Sequence, residues 1–194
     1  MREKIIRAMK RKGYKVFSSG RWNLNIVGVR SAISVPNSFD DRLYVFFRDH
    51  SDEWQQLCFQ ITCDPGHYHL QNPSRVAGTA VLKEGQYRGA YAIDKHRGRY
   101  DALCQRLVKV SVYRDADRDA VVEMDPDSVE EGFWGINIHK SGKISSTQVD
   151  RWSAGCQVFS HSHEFDVFMS LCRLSEKMYG NSFTYTLLNE QELR

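Results

Sequence analysis

Gly135-Ile136-Asn137-Ile138-His139 and Trp152-Ser153-Ala154-Gly155-Cys156 are the two stretches on which the reading of this chain turns. In the first, apolar residues alternate up to a histidine, the period-2 pattern of a strand that would hold the imidazole on a fixed backbone. In the second, the small residues Ser-Ala-Gly allow a tight turn just before a cysteine. The 17-residue separation of His139 and Cys156 is too long for one helical face and suits neighbouring strands joined by a loop. A thiol attacks as its thiolate, and a nearby imidazole takes the proton and later returns it. The pattern therefore predicts a β-rich site with Cys156 as nucleophile and His139 as base. Backbone N–H groups around Gly155 and Cys156 would hold the oxyanion, because small residues permit close approach.

Outward from this site the chain reads as α+β, with strands dominating. Residues 2–12 predict a helix stopped by Gly13, with a narrow apolar stripe of Ile5, Ile6 and Met9. Strands are expected at Tyr14–Phe17, Asn23–Val29, Asp41–Phe47, Trp54–Thr62, Tyr87–Ile93 and Phe133–His139, and at Phe183–Leu188 near the end of the chain. Leu107–Tyr113 and Ala120–Met124 read as a hairpin around the acidic turn Arg114–Asp119. A second helix is expected over residues 163–179, ending before Gly180-Asn181. No linker or repeat divides the 194 residues, so one domain over 1–194 is the expectation.

Charge is uneven. Residues 1–22, the basic helix and first strand, carry eight Lys/Arg (Arg2, Lys4, Arg7, Lys10, Arg11, Lys12, Lys15, Arg21) against Glu3, while the whole chain has a formal charge of +3. Such a helix suits an anionic polymer without specific nucleic-acid recognition, although a solvated helix face accounts for the same residues. No run of about 18 apolar residues exists to span a membrane. The charged start lacks the apolar core of a signal peptide, so synthesis in a cytoplasm is expected, with delivery by some other route to any substrate outside. Five cysteines without a Cys-x-x-Cys pair argue for reduced thiols. Cys63 alternates with Leu57, Phe59 and Ile61, and Cys172 falls at helical spacing from Phe165, Phe168 and Met169, so both read as core.

Around its Cys and His the sequence resembles the L,D-transpeptidase catalytic domain (YkuD-type), whose motif is a His, a gap of about this length, then Ser/Thr-His-Gly-Cys. Ser153, Gly155 and Cys156 match three of the four closing positions and His139 matches the base, while Ala154 stands where the family has its second His. Gly78–Tyr87 is a looser version of the family's strand entry. The resemblance implies an L,D-transpeptidase-like β-sandwich with flanking N-terminal and C-terminal helices. It also implies attack on the peptidoglycan stem peptide at the carbonyl of its third-position diamino acid, a thioester on Cys156, and a backbone carbonyl orienting His139. No cofactor is implied. Water as acceptor would make the enzyme an L,D-carboxypeptidase or endopeptidase, and an amine would make it a transpeptidase. A phage lysis, virion-associated or secreted antibacterial role follows for a chain without a leader.

Trp152, Tyr87 and Trp134 are the expected substrate-binding aromatics, Trp152 foremost because it precedes the turn to Cys156. Two readings compete with the thiol enzyme. One is a non-catalytic phage or envelope protein that binds a polymer; the other is a zinc hydrolase built on His67, His69 and His163. Asp115-x-Asp117-x-Asp119 imitates a calcium loop but lacks its Gly and Glu, so an exposed acidic turn is expected.

Overall fold

The computed structural model describes residues 1–33, 35–142 and 144–194. Helix α1 (Arg2–Arg11) buries Ile5, Ala8 and Met9, an i, i+3, i+4 stripe, and leaves Lys4, Arg7 and Lys10 in solvent. It stops at Gly13, whose φ of +72° lets the Tyr14 N–H reach back to the Met9 carbonyl at 2.9 Å.

Eight strands close into a barrel: β1 (Asn25–Arg30), β2 (Asp41–Arg48), β3 (Trp54–Thr62), β5 (Gly85–His96), β6 (Tyr100–Gln105), β9 (Ile138–Lys140), β10 (Gln157–Phe159) and β11 (Phe183–Asn189). Their order around the barrel is β1-β11-β5-β6-β9-β10-β3-β2. Strands β4 (Thr79–Leu82), β7 (Val110–Asp115) and β8 (Glu130–Gly132) form a separate three-stranded sheet. Helices α2 (His67–Gln71) and α3 (Ser162–Tyr179) and two short 3-10 turns, Pro126–Ser128 and Glu190–Leu193, add to the strands. The α+β, β-dominated class with helices near both ends is as expected. The expected β-sandwich is corrected to a closed barrel, because β1 pairs with β2 on one side and, in parallel, with β11 on the other, leaving no free edge there.

Strand β2 explains how both of its faces become apolar. Leu43, Val45 and Phe47 point into the main core with Phe59, Ile61 and Leu187, while Tyr44 and Phe46 point outward into a second cluster with Ile5, Met9 and Leu188. Helix α3 adds Phe165, Phe168, Met169 and Cys172 to the main core, its Phe168 ring 5.2 Å from that of Phe159. Cys63, Cys104 and Cys172 are buried and Cys58 is exposed.

Arg30, 1 % exposed, ties the barrel to the smaller sheet. Its Nε bonds Asp64 Oδ1 at 2.9 Å, one Nη donates to Glu84 and the other to the Leu82 carbonyl at 2.9 Å. Asp41, buried beside Asp64, is held above the ordinary carboxylate range by desolvation and that like charge, against the Ser31 and Cys63 N–H groups that it accepts.

Several local expectations are corrected. Tyr14–Phe17 forms no strand; the Asn25 side chain holds Phe17 by both its N–H and its carbonyl at 2.8 Å. Ala120–Met124 forms no strand, and β7 pairs with β4 and β8 instead. Asp115 is buried at the end of β7 rather than lying in an exposed turn, accepting the Glu123 N–H. Of Phe133–His139 only the end is strand, because Gln105 Oε1 receives the N–H groups of Trp134, Gly135 and Ile136 and so replaces a ladder partner.

Candidate active site

Strands β9 and β10 run parallel, with Gln157 opposite Ile138 and Val158 opposite His139. Cys156, one residue before β10, therefore lies level with Asn137, on the face that also carries His139 two residues further on. The turn ahead of it is built by Ser153, whose hydroxyl donates to the Cys156 carbonyl at 2.8 Å and accepts the Gly155 N–H at 3.2 Å. The Ser153 carbonyl accepts the Gly66 N–H at 3.0 Å, anchoring the turn to the start of α2. Gly155 has φ +110°, and a Cβ there would stand 2.2 Å from the Ala80 carbonyl oxygen of β4. The motif glycine thus permits both the turn and its close packing on the second sheet. The Gly155 N–H, expected as an oxyanion donor, is instead engaged by Ser153.

The His139 Nδ1 lies 2.9 Å from the Lys140 carbonyl oxygen. A carbonyl only accepts, so Nδ1 carries the hydrogen and Nε2 presents the lone pair of a base. His96, from the end of β5, stacks on His139 with ring centroids 4.1 Å apart. Asn137 Nδ2 donates to His96 Nδ1 at 3.1 Å, while Asn137 Oδ1 takes the Gln105 N–H, so His96 carries its hydrogen on Nε2. Burial lowers His139 to about 3, helped by His96, and lowers His96 to about 4, helped by Arg97. Both rings are neutral at pH 7.

Cys156 is half-buried. Its thiol donates to the Gly135 carbonyl and accepts the Asn137 N–H, both at 3.4 Å, and makes no hydrogen bond to His139. Burial raises the thiol above its ordinary value, against the Asn137 N–H and the Arg97 charge, which lower it. The thiol, expected beside an imidazole to titrate below the free value, is instead held neutral by burial in the resting site, next to a neutral imidazole.

A cleft of about 370 Å³ opens beside His139, walled by His96, Tyr100 and Trp152 and rimmed by Arg97, Arg99 and Arg151. Trp152 is 43 % exposed there. Tyr87 lies elsewhere, in the core, its hydroxyl donating to the Lys83 carbonyl at 2.6 Å. Trp134 is also away from the cleft, held between Arg114 and Arg75 at 4.2 and 5.1 Å from its ring. His67 and His69 fall in the short helix α2, and His163 lies in α3. Among the described residues no group of three or more His, Cys, Asp or Glu side chains could hold a metal ion. His96, Asn137, Gln105 and the arginines escaped the sequence reading because they reach the site through barrel pairing. The three-residue turn Arg97-Gly98-Arg99 between β5 and β6 was the available local signal.

A larger cavity of about 650 Å³ lies between α1 and the barrel, with Lys10, Lys15, Arg48 and Arg88 among its lining residues. No helix of the described residues is long and apolar enough to cross a membrane. No protein-family model, curated protein or solved structure matches this chain.

Proposed function

We propose that this chain is a cysteine acyl-transfer enzyme that cleaves the L,D peptide bond of peptidoglycan stem peptides, with water as the favoured acceptor. The observation that carries the reading is the β9–β10 pairing, which sets Cys156 and His139 on one face with the base nitrogen of His139 left to the site by the Nδ1–Lys140 contact. In this mechanism rotation of Cys156 away from Gly135 brings its thiol to His139 Nε2, which takes the proton as sulfur attacks the carbonyl of the diamino acid. The Cys156 N–H supports the oxyanion. Protonated His139 gives its proton to the departing amine of the D-residue, leaving a thioester. His139 then draws a proton from water, whose oxygen attacks the thioester, and returns it to the sulfur. A thiol that bonds elsewhere at rest fits an unliganded site, where catalytic hydrogen bonds form or tighten with substrate. The resemblance to L,D-transpeptidases supplies the substrate class, and action at the bacterial wall follows if the chain is delivered by lysis, virion or secretion.

A second reading is a non-catalytic envelope or phage protein that binds an anionic polymer. It is favoured by the thiol's engagement with Gly135 instead of His139 and by the basic cavity under α1. Mass spectrometry of purified muropeptides after incubation separates the two. Loss of the terminal D-residue, abolished in Cys156→Ala, supports the enzyme. Unchanged muropeptides with retained binding support the second reading.

A further inference from the structure

The cleft beside His139 has a rim of one sign. Arg97, Arg99, Lys140 and Arg151 line it, and among the described residues no Asp or Glu does. Lys140 is engaged by Ser162 at 3.0 Å and by Asp166 at 3.5 Å. Among the described residues no carboxylate forms an ion pair with Arg97, Arg99 or Arg151, so their charges stand uncompensated by a direct contact. Arg97 and Gly98 have φ +49° and +71°, and the Arg99 N–H closes the turn on the His96 carbonyl at 3.0 Å, in a three-residue connection whose first two residues adopt the left-handed region. A non-glycine residue in that region is uncommon, and here the turn sets the backbone of Arg97 and Arg99 beside the cleft that both residues line. Across the cleft the Arg151 guanidinium stacks on the Tyr68 ring at 3.7 Å.

We propose that this arginine rim binds a carboxylate and holds it beside Cys156 and His139. Guanidinium forks match carboxylates in a bidentate way, and a cleft lined by one charge concentrates the opposite one. In a stem peptide the carboxylate belongs either to the terminal D-residue or to the side chain of the diamino acid. That assignment of source rests on the proposed function; the anion site itself does not.

The first experiment needs no turnover. The protein is alkylated at low salt with anionic iodoacetate and with neutral iodoacetamide, and the rates at Cys156 and at exposed Cys58 are read by peptide mapping. The expected iodoacetate-to-iodoacetamide ratio is about tenfold higher at Cys156 than at Cys58. It should fall to the Cys58 level in Arg97→Gln/Arg99→Gln and in about 0.5 M NaCl, where screening shortens the reach of the rim. The salt arm, on the unaltered protein, and Arg99→Gln alone stand in if the double variant misfolds. Equal ratios at the two cysteines, a ratio indifferent to salt and substitution, or Cys156 unlabelled by either reagent would overturn the proposal. The second experiment measures, by calorimetry, binding of a tetrapeptide stem to Cys156→Ala. Amidation of the terminal carboxylate or of the diamino acid carboxylate should weaken binding in one arm, which names the source. Binding indifferent to both amidations overturns the carboxylate assignment. If the anion selectivity holds and no peptide binds, the stem-peptide reading fails while the anion site stands.

Discussion

Gly155→Ala tests whether the turn that presents Cys156 is packed as described. An ideal Cβ at this position would stand 2.2 Å from the Ala80 carbonyl oxygen and 3.1 Å from both the Ala80 carbonyl carbon and Ile136 Cδ1. Ordinary contact begins at 3.4 Å, so the turn or β4 must move by more than 1 Å. Strand β4 resists, because Ala80 is paired to Arg114 of β7. To this is added the left-handed φ of +110°, a strain of about 1–2 kcal/mol for a residue with a Cβ. Overpacking a tight contact costs about 1–3 kcal/mol more, which gives roughly 2–5 kcal/mol in total. For a chain of this size that lowers the midpoint of thermal unfolding by about 4–20 °C. Gly135→Ala is the control: its φ is +70° but a Cβ would meet nothing within 4 Å, so only the strain of about 1–2 kcal/mol applies. Both variants are compared by thermal circular dichroism. Equal shifts in the two would refute the close approach of the Cys156 turn to β4.

Cys156→Ala and His139→Ala should each abolish muropeptide turnover without adding in the double variant, since both act on one sulfur; substantial residual turnover in folded Cys156→Ala would refute the nucleophile. Cys63→Ala and Cys172→Ala should cost about 1–3 kcal/mol of stability in urea, with activity per folded molecule kept, as their complete burial requires. Arg30→Met should cost about 3–5 kcal/mol because Asp64 and Glu84 lose their buried counter-charge, and a loss under about 1 kcal/mol would contradict the bridge between the sheets. For pH, His96 at about 4 and His139 at about 3 are depressed from 6.5, so the unfolded chain binds more protons between these values; their contribution, full above 6.5, is lost as pH falls toward 4 and then 3. Asp41 is raised from 3.8 and acts in the opposite sense, its contribution being present at low pH and lost as pH rises above that value. Urea midpoints between pH 7 and 4 should thus fall less steeply with acid in His96→Gln than in the parent; an unchanged slope would show that His96 is not held neutral.

The main strands were legible either as a continuous apolar run, as at residues 43–47, or by alternation, as with Leu57, Phe59 and Ile61, and α3 was legible from the spacing of Phe165, Phe168, Met169 and Cys172. Closure was not, because the parallel pairing of β1 with β11 depends on residues at opposite ends of the chain and leaves no local trace. The same holds at the site. Cys156 and His139 stood out by their immediate neighbours, whereas His96 looks like one more residue in the polar run Asp94–Arg99 until β5 and β6 bring it over His139. The strand expected over Phe133–His139 failed for a specific reason: a buried side-chain amide, Gln105, outcompeted a backbone ladder for three consecutive N–H groups. Trp134 and Tyr87 were expected at the site because they are aromatic and near the motif in sequence, yet one packs between arginines and the other fills the core.

The β1–β11 seam also sets a timetable for assembly. Ile26 pairs with Tyr185 and Arg30 with Asn189, so a strand made among the first residues cannot complete its ladder until almost the whole chain exists. During vectorial synthesis β1 has only the β2 side available, and its other edge, with Val27 and Val29, stays open to any strand that arrives first. Such high contact order predicts slow closure and a window for mispairing that ends only when β11 is released. A nascent chain arrested before residue 183 should therefore remain protease-sensitive across residues 25–30 even with β2 and β3 already formed.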